Sequence, residues 1–291
     1  MEGLPATAIP SSNAILTIFK RVDEVNLVLS ATDHRGHFVR NLNPSDLAIF
    51  DNGEPPAKIT YFESQTGLPL RVAVLIDTSD SVGYRFAFEL KSAQAFLKKV
   101  LRPKDDAALI VGFNQKPNLA QPLTSDLSRL SHALNSLKPK GETALYDAIA
   151  LASDQLRMAP EPDPVRRVIV IVTDGVDNSS HITLNQAVER ALRAESVIYV
   201  MNIQELPVTH EDRVGNQVIQ QLAAATGGRV LKGHENGDMA RSFRKIEDEL
   251  RSQYAVGYRP RQMIANFFFR PIRIHGPKGI RIRCREGYYP R

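Results

Sequence analysis

The sequence predicts an α/β chain: a doubly wound, mainly parallel, Rossmann-like sheet inserted into a small β-sandwich formed by the N- and C-terminal segments. Three observations carry this reading. Between Leu70 and about Leu250, short apolar runs alternate with stretches whose apolar residues recur every three or four positions, as strands and helices do in turn. Val168-Ile169-Val170-Ile171-Val172 is apolar throughout, as a strand covered on both faces must be. Outside that region β-forming residues dominate and turn signals are close together. Each flank is thin as a core of its own. The expected organisation is therefore residues 1–67 and 253–291 as two parts of one sandwich, with residues 68–252 as the inserted α/β domain. That arrangement requires the two ends of the insert to lie close together.

The elements follow in order. Ala14 to Phe19 and Val25 to Thr32 are strands, and Asp33-His34-Arg35-Gly36 is a turn. His34 and His37 have metal-ligand spacing, but no third ligand is evident and a turn explains them. Leu47 to Phe50 runs into Asp51-Asn52-Gly53, a hairpin signal, with Lys58 to Phe62 as its return strand. Val72 to Ile76 is a buried strand. Val82, Phe86, Leu90, Ala93, Leu97 and Val100 then mark a helix. Ala107 to Phe113 is a second strand, and Leu119 to Leu123, flanked by prolines, is a short edge strand. Leu127, Leu130, Leu134 and Leu137 mark a helix capped by Ser125 or Asp126, and Ala144 to Met158 forms another. A helix over Ala187 to Ala194 precedes a strand at Val197 to Met201. Residues 204–216 read as a polar loop. Gln217 to Ala225 is a helix ended by Gly227-Gly228, and Val230-Leu231 is a short strand. Met239, Phe243, Ile246 and Leu250 line the face of a last helix. Tyr254 to Tyr258, Phe267 to Ile274 and Ile280 to Cys284 complete the β flank.

The bulk composition, 43% hydrophobic and 24% charged over 291 residues, is that of a globular protein with material for a real core. No apolar run approaches the roughly 18–20 residues of a membrane helix, and residues 1–14 lack the basic start and apolar centre of a signal peptide. The single cysteine, Cys284, excludes an intramolecular disulfide, a thiolate zinc site and a Cys-x-x-Cys redox centre. The net charge of +5 points towards nucleic acid only superficially. Arg281, Arg283 and Arg285 alternate with Ile280, Ile282 and Cys284, which reads as a half-buried strand with its arginines on the wet face. No aromatic stacking set accompanies them, so no nucleic-acid partner is expected.

The chemistry concentrates at strand ends. Asp77-Thr78-Ser79-Asp80-Ser81 leaves the strand 72–76 and places three oxygen side chains, Asp77, Ser79 and Ser81, at alternating positions. Thr143 stands just before a helix, and Asp174, in Thr173-Asp174-Gly175, ends the strand 168–172 at the same sheet edge as Asp77. Open α/β sheets bind ligands at that edge. Two carboxylates and three hydroxyls are hard donors of low total charge, suited to Mg²⁺ first, with Mn²⁺ or Ca²⁺ as alternatives. Such a cation accepts a further carboxylate from a partner. Asp80 reads as solvent-facing or helix-capping. Asp177 and Asn178 read as loop-stabilising, with a place on the rim as the alternative.

With these residues in view, the chain resembles the von Willebrand factor A domain and its metal-ion-dependent adhesion site. The family's Asp-x-Ser-x-Ser is met by Asp77, Ser79 and Ser81, its distant Thr by Thr143, and its strand-end Asp by Asp174. Three short motifs in the right order are far more specific than one. The flanks, including Val25-Asn26-Leu27-Val28, Tyr254-Ala255-Val256-Gly257-Tyr258 and Arg285-Glu286-Gly287-Tyr288-Tyr289, resemble the von Willebrand-related domain of acidobacterial proteins. The resemblance implies a non-enzymatic protein-binding or adhesion module that engages an acidic partner residue through the cation. It also implies an exported protein, for which Met1-Glu2-Gly3 would be the start of a mature form with a new initiator. The family also contains intracellular assembly factors that work with ATPases, and that is the alternative. A Mg²⁺-dependent hydrolase is the remaining rival. An aspartyl-nucleophile phosphatase needs a second Asp two residues after Asp77, where this chain has Ser79. No Gly-x-Ser-x-Gly elbow is present. The null case is a doubly wound domain whose Ser and Asp merely cap helices. Capping accounts for Ser81 but not for Asp174 and Thr143 together.

Overall fold

The structure is a computed structural model that describes residues 24–64, 67–159, 165–204, 208–234, 237–262 and 268–290. The expected strand at Ala14 to Phe19 lies outside the described residues. The chain begins with β1 (Val25–Thr32), β2 (Ala48–Asp51) and β3 (Lys58–Ser64). The α/β region follows: β4 (Leu70–Asp77), α1 (Phe86–Val100), β5 (Ala107–Phe113), β6 (Pro117–Thr124), α2 (Leu127–Ser136) and α3 (Leu145–Met158). It continues with β7 (Arg166–Thr173), α4 (Leu184–Arg193), β8 (Ser196–Asn202), α5 (His210–Thr226), β9 (Arg229–Lys232) and α6 (Asp238–Leu250). The chain closes with β10 (Tyr254–Arg259), β11 (Arg270–His275), β12 (Arg281–Cys284) and β13 (Gly287–Tyr288). Among the described residues no helix is long and apolar enough to cross a membrane.

Six strands form the central sheet in the order β6-β5-β4-β7-β8-β9, parallel except for the edge strand β6. Successive side chains of a strand point to opposite faces, and β4 shows it. Val72, Val74 and Ile76 join a core with α1, α2 and α6, whereas Ala73 and Leu75 join one with α3, α4 and α5. Both faces are covered, which is why these strands are apolar without alternation. The chain winds one way from β4 to β5 and the other way to β7. The switch point lies between β4 and β7, the edge at which open α/β sheets bind ligands.

The flanks form two antiparallel sheets, β12-β1-β10-β3 and β13-β11-β2, around a third core that includes Leu27, Leu29, Ile49, Val256, Tyr258 and Ile272. Each sheet mixes strands from both ends of the chain. Ser64 at the end of β3 faces Tyr254 at the start of β10, so the chain leaves and re-enters this unit at neighbouring ladder positions.

Three expectations are corrected. The Asp51–Glu54 turn forms, with Asn52 and Gly53 at φ 50° and 86°, but β3 does not return along β2. Instead β2 pairs with β11 and β3 with β10. Pro55 and Pro56 follow the turn and have no N–H to donate to a ladder, so the strand cannot continue there. Residues 210–216 are helical rather than looped. The polar first turn of α5 is held by a capping box, with Thr209 accepting from Asp212 N and the Asp212 carboxylate accepting from Thr209 N. Finally, the C-terminal arginines do not all lie on a wet face. Arg283 pairs with the fully buried Glu249 of α6, and its Nε donates to the Gly227 carbonyl at 3.2 Å.

Candidate metal centre at the switch point

Asp77 ends β4 and is fully buried. Its Oδ1 accepts from the Ser79 backbone N–H at 2.9 Å, and its Oδ2 accepts from the Thr173 hydroxyl of β7 at 2.8 Å. Adjacent parallel strands thus present Asp77 and the Thr173-Asp174 pair side by side at their carboxyl ends. Burial pushes the Asp77 carboxyl up to about 6, with the charge of Asp174 adding to the rise and hydrogen bonds from Ser79 and Thr173 opposing it. The two carboxylates therefore feel each other, the condition under which a shared cation is most stabilising.

Backbone hydrogen bonds knit the surrounding loops to this edge. Thr78 N donates to the Phe113 carbonyl at 2.8 Å, Lys140 N to the Thr78 carbonyl at 2.7 Å, and Asp80 N to the Gly141 carbonyl at 2.9 Å. Ser79 and Thr143 are both buried. Thr143 N donates to the Asn178 side-chain oxygen at 2.8 Å, and its carbonyl accepts from Asn178 N and Ser179 N at 3.0 Å. Asn178 therefore ties the Thr143 loop to the loop after β7. Asp177 has a related role: its Oδ1 accepts from the Ser180 hydroxyl at 2.6 Å, and that hydroxyl accepts from Tyr146 N and Asp147 N at 3.0 and 3.1 Å. The start of α3 is thus capped from a distant loop, leaving Thr143, two residues before it, without a capping duty. Gly175 closes the arrangement at φ 91°. A Cβ there would lie 2.6 Å from the Gly215 carbonyl oxygen, so α5 can seat against the Asp174 loop only with glycine at this position.

The structure brings together Asp77, Ser79, Thr143 and Asp174, in loops joined by these bonds. The backbone of Ser81 lies in the short 3₁₀ turn Asp80–Arg85, and its side chain is outside the described residues. Asp80 is exposed. Among the described residues no cluster of three or more His, Cys, Asp or Glu side chains has metal-binding geometry, and a set of two carboxylates with hydroxyls would not form one. Hard oxygen donors and a destabilised Asp77 carboxyl fit a divalent ion. Two further residues escaped sequence reading. Thr173 orients Asp77, and its only signal was a hydroxyl at the end of an apolar strand. Glu89 is a buried charge on the apolar face of α1, among Phe86, Leu90 and Ala93.

Residues 72–177, the span that contains Asp77, Ser79, Ser81, Thr143 and Asp174, match the family model of the von Willebrand factor type A domain. The α/β region has the fold of a von Willebrand factor type A domain. Solved structures agree on the fold. A von Willebrand factor type A protein from Catenulispora acidiphila superposes with a TM-score of 0.53 at 12% identity, covering 92% of this chain and 73% of that one. BatB from Bacteroides thetaiotaomicron gives 0.50 at 19% identity, covering 63% of this chain and 97% of that one. Proximal thread matrix protein 1 from the mussel byssus, solved with a zinc-occupied MIDAS motif, gives 0.53 at 14% identity. That match covers 68% of this chain and 49% of the mussel protein. In this chain the six-stranded sheet lies in sequence between strands that pair into two antiparallel sheets.

Proposed function

We propose that this protein is a non-enzymatic protein-binding module that uses a divalent cation, Mg²⁺ in the first place, to engage an acidic residue of a partner. Asp77, Ser79, Ser81, Thr143 and Asp174 would hold the ion. Two carboxylates formally balance a divalent charge, and the remaining neutral donors leave it able to accept a Glu or Asp carboxylate from outside. The observation that carries the reading is the approach of Asp174 to the buried Asp77 across the β4–β7 switch point, where the charge of Asp174 adds to the rise that burial causes in the Asp77 carboxyl. Calcium buffers use more carboxylates, so this site should bind in roughly the micromolar-to-millimolar range. The zinc-occupied MIDAS of the mussel protein supports a divalent ion in this fold. The flanks support placing the chain with the von Willebrand-related domain of acidobacterial proteins and outside the cytoplasm.

The test is titration calorimetry with Mg²⁺ and Mn²⁺ on the wild type and Asp77→Ala, followed by partner capture from a native surface fraction with Mg²⁺ or EDTA. Ion binding should vanish in the variant. A partner held by the wild type in Mg²⁺ should be lost both in EDTA and with the variant. Equal retention in all three samples would remove the mechanism.

A further inference from the structure

Glu89 lies on α1, one turn beyond Arg85, and is only 1% exposed. Neither of its carboxylate oxygens has a hydrogen-bond partner among the described residues. A buried carboxyl without a partner is among the costliest arrangements in a protein interior. Its helix neighbours Phe86, Leu90 and Ala93 pack in the core against β4, so an apolar side chain at this position would suit the packing better. Such a carboxyl either keeps its proton or is compensated, when ionised, by charge outside the apolar core. Glu89 stands in the first turn of α1, the helix that follows the Asp77–Ser81 loop, and Asp77, Arg85 and Asp174 act on it electrostatically. Arg85 is itself anchored by a bond from Nη1 to the Ile203 carbonyl at 3.3 Å.

We propose that Glu89 is a positioning residue of the ion site, an outer-sphere carboxylate that strengthens cation binding without touching the cation. This rests on the divalent-ion reading given above. With the ion in place, Asp77 and Asp174 balance its two charges, and Glu89 with Arg85 forms a second balanced couple behind them. Without the ion, three carboxylates share one corner of the fold. The energetic cost of burying Glu89 is then offset when the cation arrives, and that offset appears as affinity.

The experiment is Mn²⁺ titration calorimetry on the full chain for wild type, Glu89→Gln, Glu89→Leu and Asp77→Ala, with thermal unfolding of each in EDTA. Glu89→Gln keeps the shape and removes the charge. It should weaken Mn²⁺ by about tenfold or more, the usual effect of losing an outer-shell partner. Glu89→Leu should weaken it at least as much, and both should be as stable as the wild type in EDTA, or more so. Glu89→Asp, which retains the charge, should recover part of the affinity. Mn²⁺ affinities within twofold of wild type for both Gln and Leu would overturn the proposal while leaving the ion site intact, provided Asp77→Ala abolishes binding. Affinity lost only in parallel with stability in EDTA would make Glu89 a packing residue and would equally overturn it. Absence of Mn²⁺ binding by the wild type would remove the ion site and this proposal together.

Discussion

Asp77 and Glu89 are both buried carboxyls whose ionisation opposes folding in the absence of a cation. Burial is the main cause at each, raising Asp77 to about 6 and Glu89 to about 8. A carboxyl raised above its unfolded value contributes stability at low pH that is lost as pH rises through the folded value. Asp106 behaves oppositely. Hydrogen bonds from Arg102 and from Leu70 N outweigh the effect of burial and hold its carboxyl low, so its contribution is lost only as pH falls below the ordinary carboxylate range. Between pH 5 and 8.5 the raised pair therefore governs. In EDTA the melting temperature should fall across that interval by about 5 °C or more. Glu89→Gln should remove most of the slope, and Mg²⁺ should flatten it. A flat wild-type profile in EDTA would contradict the assignment of these two groups as buried carboxyls raised by burial.

At the level of elements, α6 is the piece most firmly tied across units. Its Glu249 is fully buried and accepts from the Tyr199 hydroxyl of β8 at 2.9 Å and from the Ser30 hydroxyl of β1 at 3.3 Å. Arg283 of β12 pairs with Oε1. Arg229 Nη2 of β9 lies 2.5 Å from Oε2, an ion-pair contact without hydrogen-bond alignment. One carboxylate thus joins the A domain to the sandwich. Removing one member of a buried charge network leaves the others unpaired, so Glu249→Ala should cost about 3–5 kcal/mol in urea unfolding. A loss under about 1 kcal/mol would mean that water replaces the carboxylate. The periodicity of α6 was plain in the sequence from Met239, Phe243, Ile246 and Leu250. Its partnership with Arg283 was not, because the period-two pattern of β12 indicates which residues share a face but not what that face meets. The same limit explains the hairpin. The turn at Asn52-Gly53 is local chemistry and could be read directly, whereas the choice of β11 over β3 as the partner of β2 depends on residues over two hundred positions away.

Contacts that join the antiparallel sheets to the α/β region include the bond from Glu286 N to the Ala225 carbonyl at 3.0 Å, the bond from Arg283 Nε to the Gly227 carbonyl at 3.2 Å and the Glu249 network. Gly227 and Gly228 lie in the seam. A Cβ on Gly227 would meet Arg285 N at 2.6 Å across that seam, whereas one on Gly228 would meet the Ile198 carbonyl oxygen of β8, within the α/β region, at 1.9 Å. With contacts this close, the sandwich and the A domain should unfold together. Calorimetry should show a single transition, and two separated peaks in the wild type would show that the junctions do not couple the units.

The sequence by itself determined the order of elements, the apolar strands of a sheet covered on both faces, and the identity of the oxygen-bearing residues at strand ends. Those features are local, since the side-chain period and the residue after a strand are written in consecutive positions. Only the tertiary structure decided that β4 and β7 are neighbours, that Thr173 holds Asp77, that Glu89 is buried without a hydrogen-bond partner among the described residues, and that Arg283 meets Glu249. These facts depend on which distant segments lie side by side. That choice minimises the free energy of three shared cores together, and no single stretch of the chain encodes it.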